Sequence, residues 1–513
     1  MKKKISLLLI SSAIIISLLS FALDYFKPEI PKAWDVEQLQ SMHLPYADTT
    51  IRLGFISEEA YNKLPERISY KTYPFYMPGN EPPGYYDSLS KLDPVINFNE
   101  NELKTEAEWI KAGELIYELP MNYIPLDSNM LSLLPLMAEK WKASGIHANK
   151  KGIIPFVSIS IRKKGKPELA AESCGMCHTK QMPDEQLLKG AQGNFVADRF
   201  RNIMAIVNMD AQKATPERRM QVFYAFNKRL YSTPWVQNEY QESYKNMSSD
   251  DIADSYLHGL LPGVQTRGGA SFNHPISIPD LYNLKDRKYL DKTGHNLNRG
   301  IGDIMRYGTI NQNMNMSMSY NGFIPDSDSV PTVAADYRRV GRFTDAQLYA
   351  LSKFLYTLKS KPNPEKSAPE LLQKGKRIFI EQGCATCHTP PLYTNNKLTP
   401  VDGFEPPDSH LNKYSIFNIS IGTEPGLSLY TRRGSGYYKI PSLIGAWNRT
   451  AFLHDGSLAT LEDLFDKRRL SEDYIPTYFK PWGTKHMAVP GHPFGMDLKE
   501  DEKKALVAFV KSL

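Results

Sequence analysis

The chain has 513 residues, with 62 Lys and Arg against 56 Asp and Glu for a formal charge of +6, and 41% of its residues are hydrophobic. At roughly 100–200 residues per domain it has material for two or three cores, and Cys is rare, with four in 513, for which a disulfide pair is one alternative reading. So small a charge surplus leaves no basic stripe to displace counterions from phosphate, which argues against a nucleic-acid partner.

Met1 to Lys4 are basic, and Ile5 to Ala22 form an apolar, serine-containing run closed by Asp24. Residues 1–22 read as a secretory leader or an uncleaved anchor. Ser20-Phe21-Ala22 offers a small-x-small cleavage site, yet the run is long for a leader and short for a membrane span. No cysteine follows it, so a lipid-anchored start is not expected. The expectation is an exported, periplasmic protein, either cleaved or held at the inner membrane by its N-terminus. Residues 23–100 are rich in Pro and Tyr and carry no chemical motif; they are expected to form a wrapping arm or small extra domain.

Two stretches then repeat a pattern. Glu106 to Leu119 (EAEWIKAGELIYEL) and Leu371 to Gln382 (LLQKGKRIFIEQ) are amphipathic segments built around a Gly followed by apolar and aromatic residues, and each precedes a C-x-x-C-H sequence. The first of these is Cys174-Gly-Met-Cys177-His178 and the second Cys384-Ala-Thr-Cys387-His388; together they use every cysteine in the chain. This spacing lets two thiols reach the two vinyl groups of one haem while the following imidazole turns onto the iron. A zinc knuckle also uses C-x-x-C pairs but has no need of His after each second cysteine. A thioredoxin-like C-x-x-C would occur once, beside a βαβ pattern. The reading is therefore two covalent c-type haems on Cys174, Cys177, Cys384 and Cys387, with His178 and His388 as proximal iron ligands. Export agrees with it, because covalent haem attachment to secreted chains takes place outside the bacterial inner membrane. Loss of Lys2, Lys3 and Lys4 would lower the charge to +3, and four propionates would bring it slightly below zero.

Each half also closes on a helix. Thr344-Asp-Ala-Gln347 is a capping box, followed by Leu348, Leu351, Phe354, Leu355 and Leu358 at helical spacing; Leu506, Phe509, Val510 and Leu513 repeat this at the end of the chain. The charged, proline-punctuated stretch Lys359 to Glu370 reads as the linker. These signals predict a mostly α-helical fold: two cytochrome c-type modules in tandem, residues 101–360 (enlarged between Gly113 and Cys174) and residues 371–513, with long loops and the N-terminal extension.

The C-terminal module resembles the bacterial di-haem cytochrome c peroxidase superfamily, which includes the methylamine dehydrogenase maturation enzymes and the rubber oxygenases. The resemblance rests on GKRIFIEQGCATCHTPPLYTNN (Gly375 to Asn396), IPSLIGAWNRTAFLHDGSLATLEDL (Ile440 to Leu464) and GHPFGMDL (Gly491 to Leu498), with FLHDGS the most specific part. It implies an N-terminal haem that reacts with peroxide or dioxygen and a C-terminal haem that relays electrons from a small redox protein. The relay iron then needs a distal ligand from the C-terminal loop: His492, with His486 and Met487 as competitors. His454 resembles a family residue that supports the haem, by binding a propionate, without ligating it. Some family members hold a calcium ion between the modules, although no clustered carboxylate motif here demands one.

The first module departs from this pattern. Peroxidases carry a Phe-Trp-Asp-Gly run where this chain reads Tyr289-Leu290-Asp291, and an acid–base Glu in the region that here reads NQNMNMSMSYN (Asn311 to Asn321), which has no carboxylate. Peroxide cleavage needs a group that moves a proton from one oxygen to the other. His274 in SFNHPISIPDLYNL is the residue offered for that distal role, with His295 as a second, and Met314, Met316 and Met318 read as apolar lining. Trp447 and Trp482 are read as core residues or electron stepping stones, and Arg432, Arg433 and Arg449 as propionate partners or exposed loop arginines. Two rivals stand beside the peroxidase-type oxidoreductase: a pure electron carrier with both irons six-coordinate, and a rubber-oxygenase-like dioxygenase acting on an apolar substrate.

Overall fold

The computed structural model describes residues 26–231, 233, 247–258, 261–266, 273–325 and 341–513, with the backbone alone at 224–231, 256–258 and 313–314, so the expected leader lies outside the described residues. Among the described residues no helix is long and apolar enough to cross a membrane.

The N-terminal extension is woven into both later parts of the chain's first half. Helix α1 (Val36–Met42), capped by the Asp35 side chain, buries Leu39 and Met42 in a core shared with Trp109, Ile116, Leu348 and Leu351. Strand β1 (Leu53–Phe55) and strand β2 (Thr72–Tyr76) each find partners much later in the chain. Helix α2 (Glu106–Glu118) begins at a capping box in which Thr105 and Glu108 satisfy each other's backbone N–H. The stretch between Gly113 and Cys174 then builds β3 (Asn122–Pro125), α3 (Ser128–Ala143), β4 (Ile153–Lys163) and β5 (Lys166–Ala171). These strands and β2 form one antiparallel sheet of order β2-β4-β5-β3. In β4 the alternating Val157, Ile159 and Ile161 turn one face into a core with Trp141, Phe200 and Ile203.

This sheet overturns the expectation of a mostly α-helical fold: the structure is mixed, with 38% helix and 14% strand. The cause is legible in VSISIRK, where β-branched residues alternate with polar ones at a period of two.

The first C-x-x-C-H forms the one-turn helix α4 (Cys174–His178), and α5 (Ala197–Ala211) packs on α3 behind it. Helix α6 (Ile301–Ser317) leads into β6 (Met318–Tyr320), which pairs with β1, and α7 (Asp345–Thr357) starts at the expected Thr344/Gln347 capping box. The second half repeats the arrangement. Helix α8 (Pro369–Glu381) precedes α9 (Cys384–Cys387); β7 (Leu398–Pro400) pairs with β8 (Tyr437–Lys439); α10 (Glu500–Lys511) ends the chain.

The repeat is closest where helices cross. Helix α2 packs on α7 and α8 on α10, each at a glycine. A Cβ on Gly113 would sit 1.9 Å from the Ala350 carbonyl oxygen, and one on Gly375 would sit 2.0 Å from that of Ala505. Backbone thus rests on backbone at both crossings. Gly375→Ala is expected to force α8 off α10 at about 1–3 kcal/mol, the cost typical of overpacking, read as a lower urea midpoint; an unchanged midpoint would mean that the helices slide at no cost.

Candidate metal centres

At the second motif, His388 follows the single turn of α9 and its ring is fixed from behind. Its Nδ1 lies 3.1 Å from the carbonyl oxygens of both Tyr393 and Pro441. Carbonyls only accept, so the proton sits on Nδ1 and Nε2 keeps its lone pair for a metal. Burial pushes the His388 pKa down to about 4, so the imidazole is neutral at physiological pH.

His492 faces this ring from the C-terminal loop. The two ring centroids are 6.4 Å apart and the planes are tilted by 54°. Two metal–imidazole bonds of about 2 Å each, added to the two ring radii, span such a gap. It is too wide for the rings to hydrogen-bond directly. His492 Nδ1 is buried without a hydrogen-bond partner among the described residues, and burial holds the ring's pKa at about 3.

The loop is held by Arg469, a residue that sequence patterns did not single out. Its side chain is fully buried, and its guanidinium donates to the carbonyls of Leu464, Val489, Gly491 and His492. Gly491 (φ 87°) and His492 (φ 50°) take left-handed conformations to make this turn. Arg469→Met is expected to leave buried carbonyls bare at about 1–3 kcal/mol apiece and to lower the urea midpoint accordingly. The competitors lie elsewhere: His486 is exposed, while the Met487 backbone bonds to Tyr474 and its side chain packs in the C-terminal core.

Between His388 and His492 opens a cleft that also exposes Cys384 and Cys387. Its walls are largely apolar, with Phe379, Leu461, Leu464, Phe465 and Leu506, and its lining also includes Arg287, Lys292, Lys439 and Arg449. Asp280 answers two of these cations, at 2.7 Å from Arg287 and 3.0 Å from Arg449. Burial, then neighbouring cations, push Lys292 down to about 7 and Lys439 to about 8. A largely apolar slot between two neutral imidazoles, with two thiols and four cationic side chains in its lining, fits a haem and the carboxylates it carries.

The first motif is built alike behind the ring. His178 Nδ1 lies 3.0 Å from the Pro279 carbonyl oxygen, just as His388 Nδ1 lies 3.1 Å from that of Pro441. Each proline opens an equivalent run, with a left-handed residue (Asn283, Gly445) before a short 3-10 turn, then Arg287 or Arg449, then a left-handed glycine (Gly294, Gly456). Tyr117 braces the motif with its hydroxyl 2.5 Å from the His178 carbonyl oxygen. Burial pushes His178 down to about 4 and the Cys174 thiol up to about 12. Among the described residues no imidazole opposes His178 as His492 opposes His388.

His274 lies against Glu424 and Gly426, with Nδ1 3.9 Å from Glu424 Oε1, and His454 bonds the same carboxylate at 3.0 Å. Glu424 was not singled out in the sequence. His295 is buried against His43 and Tyr46 in the inner core. Met318 lies in that core on β6, Met316 is partly buried, and the Met314 side chain lies outside the described residues. Arg432 and Arg433 are buried rather than exposed. They bind Asn315, and Asp291 with Asn311, so the stretch without a carboxylate anchors arginines. Trp482 is at the surface, 38% exposed and bonded to Asp254, while Trp447 is partly buried and donates to the Lys361 carbonyl. No group of three or more His, Cys, Asp or Glu able to hold a metal ion such as calcium occurs among the described residues.

No family model matches the chain, and no curated protein does. Among solved structures it is similar to hydrazine synthase of Kuenenia stuttgartiensis pressurised with xenon, at 15% identity over 57% of this chain and 87% of that one, with a TM-score of 0.29. It is also similar to a MauG-like protein associated with microbial copper homeostasis, at 20% identity over 33% of this chain and 56% of that one, with a TM-score of 0.21. Both likenesses are too distant to assign a fold or an activity.

Proposed function

We propose that this chain is an exported di-haem c-type cytochrome oxidoreductase of the peroxidase type. Its N-terminal haem reacts with peroxide or dioxygen, and its C-terminal haem relays electrons from a small redox protein. The observation that carries this reading is the opposition of His388 and His492 across an apolar cleft at 6.4 Å. When bound, each haem supplies a one-electron couple, and an iron without a strong sixth ligand supplies a site for an oxygen species. Cys384 and Cys387 would hold the second haem covalently, His388 and His492 would cap its two faces, and Arg287, Lys292, Lys439 and Arg449 would receive its carboxylates. Cys174, Cys177 and His178 would hold the first.

The experiment is a spectrum joined to a mass. Denatured protein washed with acid acetone should retain two haem masses, and spin resonance should show one low-spin centre unmoved by cyanide and one centre that cyanide changes. Absence of covalent haem defeats the proposal. A second reading, the pure electron carrier, is favoured by the Asn311 to Asn321 stretch, where Asn311 and Asn315 bind arginines and no acid–base carboxylate is present. Two low-spin centres, both silent to cyanide and peroxide, would select it.

A further inference from the structure

The flank of the cleft gathers three titratable side chains from separate parts of the chain. Glu424 Oε2 accepts from His454 Nε2 at 3.0 Å, and Glu424 Oε1 accepts from the Gly426 backbone at 2.7 Å and lies 3.9 Å from His274 Nδ1. The fit is close: a Cβ on Gly426 would come within 2.0 Å of His274 Nδ1. Tyr438 stacks on the His454 ring at 4.4 Å and 29°, which fixes its plane.

Burial is graded along this group. His454, whose side chain is 7% exposed, lines the cleft, whereas the Glu424 side chain is 36% exposed and reaches water. With Nε2 engaged by the carboxylate, His454 Nδ1 is buried and without a hydrogen-bond partner among the described residues. A bare buried nitrogen is costly in a purely structural pair. An imidazole oriented by a carboxylate, with its other nitrogen spare, is the arrangement that general acid–base chemistry uses.

We propose that His454, oriented by Glu424, is the proton-exchange group of the cleft: as one electron reaches the second centre, the spare Nδ1 of His454 takes up one proton from water while Nε2 keeps its hydrogen bond to Glu424, and Nδ1 returns that proton when the electron leaves. The electron comes from the donor redox protein and the proton from solvent, and no other bond is made or broken. Glu424 acts through His454 and is a positioning residue. The proposal rests on the relay reading of the second centre.

The groups facing His454 set the pH range. Burial opposes its charge, Asp455 and Glu424 favour it, and Lys292 opposes it, with a net upward shift from the ordinary 6.5. His274 is held down by burial against the pull of Glu424, and Glu424 itself stays below the usual carboxylate range because His454 and His274 outweigh its burial. Tyr438 is pushed far up by burial and stays neutral. An added electron raises the His454 pKa further, so coupling falls above pH 6.5.

The test is a spectroelectrochemical titration of the full haem-loaded protein between pH 6 and 9. In the wild type the midpoint potential of the second centre should fall by about 59 mV for each tenfold drop in proton concentration, over at least one pH unit. Glu424→Gln keeps the shape of the side chain but removes its charge. It should displace that slope by a unit or more towards acid pH while the absorption bands stay unchanged, a result that a structural role would not produce. A flat wild-type profile overturns the proposal, as does a wild-type slope that persists unmoved in both Glu424→Gln and His454→Asn. If neither variant folds, redox-induced infrared difference spectra of the wild type decide: imidazole protonation bands support the proposal and their absence overturns it. Failure of the parent reading looks different, because the protein would then carry no haem to titrate.

Discussion

His492→Ala is expected to convert the low-spin signature of the second centre into a high-spin one and to leave the first centre unchanged. His388 is held from behind by two carbonyls at 3.1 Å and does not depend on His492 for its position, so the variant removes one face of the site and keeps the other. His492 is presented by a loop whose carbonyls Arg469 binds directly, and that clamp grips backbone, which Ala retains. The loop should therefore stay in place and leave a hole of imidazole size. Added imidazole should fill it and restore the low-spin spectrum, which collapse of the loop would not allow. An unchanged spectrum in His492→Ala would show that another side chain closes the site.

Much of this site was legible in the sequence because its thiols and imidazoles come at short, local spacing. The C-x-x-C-H runs place thiols and imidazole within one turn of backbone, and the structure folds both as single helical turns. The glycines at 113 and 375 and the Thr344 capping box are likewise local signals, and each stands where a helix must cross or start. The sheet was missed because β2 and β4 come from distant segments, and the alternation in β4 is brief beside the helical periods that flank it. Arg469 and Glu424 were missed for a different reason. An arginine that binds carbonyls and a glutamate that meets two histidines from separate segments have meaning only after the chain has folded, since no spacing in sequence marks them.

Asp280→Asn is expected to have the largest effect on stability, about 3–5 kcal/mol at neutral pH, because it breaks a buried ion pair and leaves its cations uncompensated. Asp280 is 8% exposed and sits between Arg287 of the first half and Arg449 of the second, at 2.7 and 3.0 Å. Burial alone would raise its pKa, but the two guanidiniums outweigh burial and hold it below the usual carboxylate value. A depressed native pKa contributes stability that is present above the unfolded value of about 3.9 and is lost as the pH falls through the native one. The advantage of the wild type over Asp280→Asn should accordingly narrow as the pH falls below that unfolded value. Urea midpoints at pH 7 and at pH 3 read this directly. Because Arg287 and Arg449 occupy equivalent places in the two repeats, a gap that stayed constant across that range would mean that the paired arginines are compensated by groups other than Asp280.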